Sequence, residues 1–454
     1  MGRSAVIVGG GVAGLEAARQ LARTGRRVLV LDAGDRVGGA VRSEPLDGVV
    51  VDVGAEAYGV ARRDTRRLID ELGLADEVVT PRRSDARLLL DDGLHGMPHA
   101  MLGIPTDLAS AEVLAILGAD EARRALDLDA APTAAVDPGI SLGSLVRARM
   151  GDGVADRILT PVVAGVHAAD PDLVEAEAVV PGLLASLAQA GSLAGAAGRL
   201  RSAAGVPGSA IAGLHGGMTT LVRALEQAAR ASGVEIRTDA PVTGVRRAGA
   251  GWWVEGPWGG VDADDLVLAI DAPGAAALLQ AAPDAASALA RVAVGDVVVC
   301  AAVIASGDLD DDPVGSGLLV APGHPDVRAK ALTHATAKWD WIREAYGPGR
   351  HLVRLSYGRD GRIEERLEDL PGIVRADLMA VFGIPEPVLL DFRVARWDRS
   401  LVFARPGHRE AVAELRAAVA HEPALAVVGA GLGGNGLAGT IALGRDVVGQ
   451  LDRP

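Results

Sequence analysis

The sequence predicts an α/β protein, and three of its regions carry that prediction. Near each end, an apolar run leads into a glycine-rich turn and a helix-like segment, over residues 4–24 and again over residues 424–451. Apolar runs typical of antiparallel strands dominate residues 276–395, whereas residues 106–204 are rich in alanine and leucine. We therefore expect a parallel sheet drawn from distant parts of the chain, a second, antiparallel sheet and a small helical part.

Composition bounds the class of protein. The chain has 454 residues, about three domains' worth, with 49% hydrophobic and 23% charged residues, as in ordinary globular proteins. The formal net charge of −14 argues against nucleic acid as a partner. A single cysteine, Cys300, excludes a disulfide framework and a cysteine metal cluster, and no metal site is predicted. Its apolar surroundings predict a buried strand cysteine.

Two observations bear on location. The first predicted strand begins at residue 5, which leaves no room for a signal peptide and predicts a cytoplasmic protein. Residues 178–198 carry no charge over a length that could span a bilayer. However, Pro181 and four glycines interrupt them, so a small-residue helical pair or a loop packed inside the protein is expected, and no integral membrane segment.

The N-terminal elements form a dinucleotide-binding pattern. The apolar run Ala5–Val8 predicts a buried strand, and Gly9, Gly11 and Gly14 follow at GxGxxG spacing. These glycines permit a tight turn, close approach of a pyrophosphate and close helix packing. A helix over 15–24 and a strand over 28–31 come next, ending at Asp32, where an acid can reach a ribose hydroxyl.

A second glycine turn indicates which dinucleotide binds. Arg36-Val37-Gly38-Gly39 and Arg42 follow Asp32, and the run DVGAEAY begins at Asp52. This arrangement resembles the FAD-binding start of the flavin amine oxidase and protoporphyrinogen oxidase superfamily, which implies FAD rather than NAD. The residues expected at the cofactor are Gly9, Gly11, Val12, Ala13, Gly14, Asp32, Ala33, Gly39, Arg42, Gly54, Ala55, Glu56, Ala57, Val242, Trp397, Gly434, Asn435 and Leu437.

The rest of the chain alternates strands and helices. A helix over 62–72, short strands over 78–105 and helices over 106–204 are expected first. A helix over 219–231 precedes strands at 234–237, around Val242, in a hairpin with Trp252 and Trp253, and at 266–270, all expected to extend the first sheet. Further strands are predicted within 294–305, 316–321, 329–339 and 351–361, with helices at 372–384 and from about residue 409.

Nearly the whole chain resembles the soluble coproporphyrinogen III oxidases of Gram-positive lineages. The resemblance rests on RVGG, DVGAEAY, LHGMPHAMLGIP, SLGSLVRARMGDGVADRILTPVVAGVHAADPD, HGGMTTLVRAL, KALTHATAKW, RLSYGRDG and RW-x-x-S…PGH. It implies a discontinuous Rossmann-like FAD-binding domain (1–80, 205–275 and 396–454), an antiparallel-sheet substrate domain (81–105 and 276–395) and a small helical domain (106–204). It also implies oxidation of a porphyrinogen in heme biosynthesis, with O2 as acceptor giving H2O2.

Substrate contacts are predicted from charge and from this resemblance. The only lysines are Lys330 and Lys338, in an otherwise arginine-rich chain, and both are candidate partners for propionates. Lys338 lies in the family's KW motif, and Arg87 resembles the family's propionate-pairing arginine. Tyr357 is expected to line the substrate slot. No general base is identified, because hydride transfer to the flavin demands chiefly positioning, and His167 is expected to be a packed or capping residue.

Some alternatives stay open at this point. The family's Met-Pro-Gln-Tyr stretch is replaced by Leu-Val-Phe-Ala at residues 401–404, and its Gly-Ile-Pro by Gly-Leu-Ala at residues 436–438. The first change lies in a region that the resemblance places near the flavin, so it bears on catalytic efficiency or on the choice of substrate. Protoporphyrinogen IX is therefore an alternative substrate, and a non-catalytic flavin-binding homologue or heme-pathway regulator is another reading. An amine oxidase would predict an aromatic cage, for which this aromatic-poor chain offers little. A transient heme-pathway enzyme partner is also possible.

Overall fold

The computed structural model describes residues 2–82, 86–132, 135–203 and 211–453. The strands are β1 Ser4–Val8, β2 Arg27–Leu31, β3 Ser43–Leu46, β4 Val49–Asp52, β5 Tyr58–Gly59, β6 Val78–Val79, β7 Arg87–Leu90, β8 Gly93–Gly96, β9 Ala100–Met101, β10 Ile104–Pro105, β11 Ile211–Leu214, β12 Glu235–Arg237, β13 Gly244–Ala248, β14 Gly251–Gly256, β15 Gly259–Ala263, β16 Asp265–Leu268, β17 Ala293–Ala305, β18 Gly317–Val320, β19 Ala331–His334, β20 Arg350–Tyr357, β21 Val388–Phe403 and β22 Leu425–Val427.

Helices connect and cover these strands. They are α1 Val12–Arg23, α2 Arg63–Glu71, α3 Ala111–Leu117, α4 Ala119–Ala130, α5 Leu142–Val154, α6 Thr160–His167, α7 Ala176–Val179, α8 Leu183–Ala190, α9 Leu193–Ala203, α10 Thr219–Ala231, α11 Ala272–Leu278, α12 Pro283–Ala290, α13 Ala335–Lys338, α14 Asp340–Tyr346, α15 Leu370–Phe382, α16 His408–His421, α17 Ala430–Gly433, α18 Leu437–Arg445 and α19 Val447–Leu451.

A five-stranded parallel sheet combines strands from the start, middle and end of the chain. Its order is β12-β2-β1-β16-β22. Its central strands are short apolar runs buried on both faces, as parallel strands require. Helices α1, α10 and α18 cover one face, and helices α11, α12 and α16 cover the other. The α/β class with a discontinuous Rossmann-like sheet is confirmed.

The hairpin region does not extend that sheet, which corrects one prediction. Strands β13, β14 and β15 pair among themselves as a separate antiparallel sheet, and Val242 lies before β13 rather than in a strand. Trp252 faces the core, with its indole N–H donating to the Ala424 carbonyl at 2.9 Å. Trp253 points to the opposite face beneath Arg246. Alternating burial marks a one-sided antiparallel sheet, not a buried parallel strand.

A seven-stranded sheet forms the second layer system, in the order β21-β17-β20-β19-β18-β7-β8. Its pairs are antiparallel except β18 with β7. Helix α15 packs on one face, where Cys300 is buried, and burial raises the pKa of that thiol to about 12. The predicted boundary at residue 396 falls inside β21, which continues to Phe403.

Helices α3–α9 form the third part, packed around its own apolar cluster. The uncharged stretch 178–198 contributes α8 and the start of α9, so it forms the expected helical pair. Within the residues that the structure describes, no helix combines the length and the apolar character needed to cross a membrane.

The two ends of the chain meet through helices α1 and α18. At their crossing, a Cβ on Gly444 would lie 2.7 Å from the Ala13 carbonyl oxygen, so only glycine allows this approach. Arg445 and Arg19 share the carboxylates of Glu16 and Glu71 at the same contact. Strands β1 and β22 run in the same direction in the parallel sheet, so the glycine segments that follow them lie at the same edge of it.

Candidate active site

The first glycine turn is shaped by contacts that exclude side chains. Gly9 has a positive φ of 103°, and its N–H donates to the Leu31 carbonyl at 2.8 Å. A Cβ on Gly14 would lie 1.9 Å from the Gly9 carbonyl oxygen, so α1 packs directly on the turn. Gly11 precedes α1, whose first residues Val12 and Ala13 are buried. This is the anion-binding arrangement that the GxGxxG spacing predicts.

Asp32 braces this turn from the end of β2. One carboxylate oxygen accepts from the Gly10 N–H at 2.6 Å, and the other accepts from the Gly34 N–H at 2.8 Å. Each oxygen keeps a further lone pair that a ribose hydroxyl could use. Ala33 beside it is exposed and offers its backbone to a ligand.

The second glycine turn lies against the first. The Gly38 N–H donates to the Gly10 carbonyl at 2.9 Å, and a Cβ on Gly39 would lie 3.3 Å from the Cα of Gly11. Arg36 is half-buried there, and burial and then the nearby charge of Arg42 lower its pKa. Two guanidinium groups beside a side-chain-free cradle suit a diphosphate.

The loop over residues 53–57 approaches from the other side. A Cβ on Gly54 would lie 2.2 Å from the Ala40 carbonyl oxygen and 2.9 Å from the Trp397 ring. The Trp397 indole N–H donates to the Val53 carbonyl at 3.1 Å, and the Ala55 N–H donates to the Ala40 carbonyl at 3.0 Å. Trp397 therefore joins strand β21 of the large sheet to the predicted cofactor loop.

Glu56 contributes its backbone to this loop but not a free carboxylate. Both of its carboxylate oxygens accept charged hydrogen bonds, one from Lys338 and one from Arg354. Burial alone would raise the pKa of Glu56, but the two cations outweigh it and lower that pKa to about 2. Arg354 also donates to the Gly54 carbonyl at 2.6 Å. This triad ties the cofactor loop to strand β20 and helix α13.

Asp52 anchors the start of helix α10 next to this triad. Its carboxylate accepts from the Met218 N–H at 2.9 Å and from the Ser43 hydroxyl at 2.6 Å. Burial raises its pKa to about 6 despite these bonds. Sequence reasoning missed both Asp52 as an anchor and Arg354, although both stand inside the motifs DVGAEAY and RLSYGRDG.

The C-terminal glycine segment completes the cradle. Gly434 and Gly436 have positive φ angles, and no atom lies within 4 Å of where their Cβ atoms would be. The Asn435 side chain bonds both the N–H and the carbonyl of Val402, at 2.8 Å and 2.7 Å. Asn435 thus offers only its backbone, while Leu437 begins α18 and is buried. Val242 is half-buried against the apolar cluster around Trp252. Ala57 is half-buried against a different cluster, which contains Trp339.

The cradle accommodates FAD. Glycine backbone from the first and second glycine turns meets just before α1, where a Cβ on Gly39 would approach Gly11, and the C-terminal segment adds Gly434 with a positive φ. Arg36 lies beside the second glycine turn and donates to the Val37 and Val41 carbonyls, each at 3.2 Å, and Arg42 pairs with Glu44 nearby. Within the described residues, no cluster of three or more His, Cys, Asp or Glu side chains could hold a metal ion.

Arg87 lies at a surface cleft of about 480 Å³. Its Nε is buried and has no hydrogen-bond partner. The cleft is also lined by Met97, His99, Glu112 and Arg201. The Arg87 guanidinium makes no hydrogen bond or ion pair with any residue that the structure describes, so it is a suitable anchor for a ligand carboxylate at the cleft.

Two other predicted substrate residues lie elsewhere. Tyr357 is fully buried under α15, and its hydroxyl donates to Asp377 at 2.9 Å, so it packs in the core instead of lining a slot. Lys338 is engaged with Glu56 and is not available to a propionate. For Tyr357 the sequence does not say which face of the sheet the side chain takes, and for Lys338 it does not show that the distant Glu56 is its partner.

A row of small side chains crosses the large sheet from Trp397. Trp397 pairs with Val297, Val299 pairs with Ser356, and Ser356 pairs with Ala331. Paired residues point to the same face, and four neighbouring strands span three spacings, about 14 Å. These small side chains share one face of the sheet, and the row begins at Trp397 beside the predicted cofactor loop. Lys330, directly before Ala331, is buried at the far end of this row.

Comparison with known proteins gives one family match. The model described as flavin containing amine oxidoreductase matches residues 12–441. This range includes the second glycine turn, the C-terminal glycine segment and the large sheet.

Curated relatives match over nearly the whole chain. The coproporphyrinogen III oxidase of Mycobacterium tuberculosis is 32% identical over 463 residues, covering 99% of this chain and 98% of that protein. The coproporphyrinogen III oxidase of Bacillus subtilis is 27% identical, covering 98% of this chain and 96% of that protein.

Solved structures share the fold. A structure from Exiguobacterium sp. 255-15, described as "Putative protoporphyrinogen oxidase", superposes with a TM-score of 0.86 at 25% identity and covers 100% of both chains. Cyclohexylamine oxidase from Brevibacterium oxydans superposes with a TM-score of 0.72 at 18% identity, with 100% of both chains covered.

Proposed function

Because the chain belongs to the family of flavin-containing amine oxidoreductases, we propose that it oxidises coproporphyrinogen III to coproporphyrin III in heme biosynthesis. The curated relatives that match nearly its full length carry that activity in their names. The observation that supports it most in the structure is the small-residue face beside the flavin cradle, between Trp397 and Lys330.

The residues of the chain bind and orient the reactants. The glycine turns at Gly9–Gly14 and Gly38–Gly39, with Arg36 and Arg42, would hold the diphosphate of FAD. Trp397 and the triad of Glu56, Lys338 and Arg354 fix the loop that reaches the cofactor. FAD held by these residues would supply the acceptor for a hydride from a methylene bridge of the substrate.

Positioning accounts for most of the catalysis that this arrangement can offer. A methylene carbon flanked by pyrroles is already activated, so a flat face that holds it against the cofactor supplies the main requirement. Arg87 and Lys330 are proposed as contacts for propionates, because charge-assisted bonds to carboxylates fix orientation as well as affinity.

Three further features belong to the same proposal. O2 is proposed as the acceptor, giving H2O2 in each two-electron step. A cytoplasmic location and a transient contact with another heme-pathway enzyme follow from the family resemblance and are likewise proposed.

Anaerobic mixing tests the proposal. FAD-loaded protein is combined with coproporphyrinogen III without O2 while flavin absorbance and porphyrin fluorescence are followed. We expect the flavin to bleach as porphyrin forms, and admitting O2 should restore the flavin with release of peroxide. Bound flavin that stays oxidised with this substrate would contradict the proposal.

Protoporphyrinogen IX is the second candidate substrate. A protoporphyrinogen oxidase from Arabidopsis thaliana is 29% identical, but over only 38% of this chain and 34% of that protein. The same mixing experiment with protoporphyrinogen IX separates the two, because flavin reduction only by that compound would replace the first proposal.

A further inference from the structure

Three basic side chains meet where helix α6 reaches the large sheet. Lys330 precedes strand β19 and is 3% exposed. His167 ends α6, and Arg359 follows strand β20. Burial and then the charge of Lys330 lower the pKa of the half-buried His167, and burial and then the charge of Arg359 lower the pKa of Lys330, so the three groups lie within electrostatic range of one another.

No described carboxylate bonds any of the three. The Arg359 Nη2 donates to the Val320 carbonyl at 3.2 Å, but its Nη1 is buried without a partner. Asp360 and Glu365 act on Arg359 only through their charge, and Asp360 is already bonded to the Asp170 N–H at 2.8 Å. The nitrogen of Lys330 makes no hydrogen bond or ion pair with any residue that the structure describes.

Such an arrangement is costly without an anion. Burying an unpaired charge is strongly unfavourable, and like charges placed together add to the cost. Buried cations are normally paired with a carboxylate or another anion. Arg354, another strongly buried cation of the large sheet, has such a partner in Glu56.

The cluster lies at the edge of the proposed substrate face. Helix α6 packs against Leu319, and a Cβ on Gly165 would lie 2.6 Å from that side chain. Leu319 pairs with Ala331, the last member of the row that begins at Trp397. A propionate extends from the rim of a tetrapyrrole, so its anchor is expected at the end of this row that lies away from Trp397.

We propose that Lys330, His167 and Arg359 form a buried subsite for one carboxylate of the substrate, separate from the cleft at Arg87. The proposal rests on the proposed function and adds to it a site that holds one edge of the tetrapyrrole. Arg359 and Lys330 supply charge-assisted donors, and His167 supplies a ring N–H.

The subsite predicts a pH dependence of binding. Burial and then Arg359 lower the pKa of Lys330 to about 7, while burial and then Lys330 lower that of His167 to about 4. A bound carboxylate favours the charged ammonium, so it raises the Lys330 pKa. Affinity should therefore be highest below about pH 7 and fall as the pH rises through it.

Binding of the oxidised product tests the subsite without turnover. Coproporphyrin III is titrated into the FAD-loaded protein, and the Kd is read from porphyrin fluorescence. Lys330→Met should raise the Kd roughly ten- to hundredfold and remove the pH dependence near 7. Arg359→Met should also raise the Kd, whereas Lys330→Arg should stay within a few-fold of the wild type. The tetramethyl ester of coproporphyrin should bind wild type and Lys330→Met alike.

A neighbouring cation provides the matched control. Arg328 is exposed two residues away, so Arg328→Met removes the same charge and should leave the Kd unchanged. Without porphyrin, the Tm of Lys330→Met should be no lower than that of the wild type, because the substitution removes an unpaired buried charge. Equal Kd values for wild type and Lys330→Met, or a lower Tm of the free variant, would overturn the subsite. Flavin bleaching by coproporphyrinogen III in the wild type would still uphold the proposed function.

Discussion

At the scale of single residues, loss of the Glu56 carboxylate should affect both the stability of the fold and the binding of FAD. Glu56→Gln removes the charge shared by Lys338 and Arg354 and leaves both cations partly buried without a counter-ion. Breaking a buried pair in this way costs about 3 kcal/mol or more. We expect a lower free energy of unfolding in urea and weaker FAD binding, measured by titration of the apoprotein.

The control for that change is Glu386→Gln, because Glu386 is exposed. It should alter neither unfolding nor FAD affinity. If Glu56→Gln behaved like Glu386→Gln, the triad would not hold the cofactor loop.

Arg87 should act on substrate binding more than on turnover. Arg87→Ala removes the spare guanidinium donor at the surface cleft, so the KM for coproporphyrinogen III should rise more than kcat falls. Steady-state kinetics measure this, with Arg123→Ala on the exposed side of α4 as the control. Unchanged kinetics of the Arg87 variant would remove it from the substrate site.

A buried histidine pair should make stability depend on pH. The Nε2 of His334 lies 3.0 Å from the Nδ1 of His351, and burial, then His351 and Arg343, lower the pKa of His334 to about 3. The unfolded chain binds a proton near pH 6.5, and the folded chain does not. Stability is therefore full above about pH 6.5 and falls as the pH drops toward about 3.

Urea unfolding at about pH 7.5 and about pH 5 measures this effect. His334→Gln keeps a hydrogen-bonding group that cannot titrate, so the difference between the two pH values should shrink. His421→Gln, at an exposed position, should keep the full difference. An equal difference in wild type and His334→Gln would refute the assignment.

Sequence reasoning anticipated the turn geometry that local spacing fixes, and the cofactor contacts of these residues stay a prediction. Gly9, Gly11 and Gly14 are set by the turn itself, and Asp32 by the end of β2. It failed for Lys338 and Tyr357, whose partners are distant in the chain. Charge count alone singled out the lysines, but only the fold reveals that one has a carboxylate beside it and the other does not.

At the scale of elements, the crossing of α1 and α18 depends on Gly444. Gly444→Ala would place a Cβ 2.7 Å from the Ala13 carbonyl oxygen, and backbone cannot yield as a side chain can. We expect about 1–3 kcal/mol of destabilisation and weaker FAD binding. Denaturant unfolding and FAD titration measure both effects.

Gly372→Ala is the matched comparison. Gly372 lies in α15, and no atom lies within 4 Å of its Cβ position, so alanine should stabilise by up to about 1 kcal/mol. Destabilisation by both variants alike would show that the crossing has no special sensitivity.

The ends of strands and helices were predicted less well where side chains stop alternating between the two faces of a strand. The run AKALTHATAKW was expected as one strand, but β19 covers only Ala331–His334 and α13 follows it. Ala329 and Leu332 both pack beneath α15, so strict alternation fails between them. Periodicity cannot reveal such an irregularity, which is why the side that Lys330 takes was not foreseeable.

At the scale of the whole molecule, the architecture followed from repeated local patterns. Two strand–turn–helix segments at opposite ends predicted one shared sheet, and β22 does pair with β16 in it. The separate sheet of β13–β15 was not predicted, because hairpins can extend a neighbouring sheet or stand alone. Whether the hairpin joins the parallel sheet depends on how distant residues pack around Trp252, and no local sequence pattern predicts that packing.

The order of strands in the parallel sheet also constrains biosynthesis. Its centre, β1 and β2, leaves the ribosome first, but β16 needs residue 265 and β22 needs residue 425. A nascent chain therefore carries an incomplete nucleotide cradle until almost all of it has been translated. Acquisition of the cofactor is consequently a late, post-synthetic event, and chains that terminate early emerge without the means to hold it.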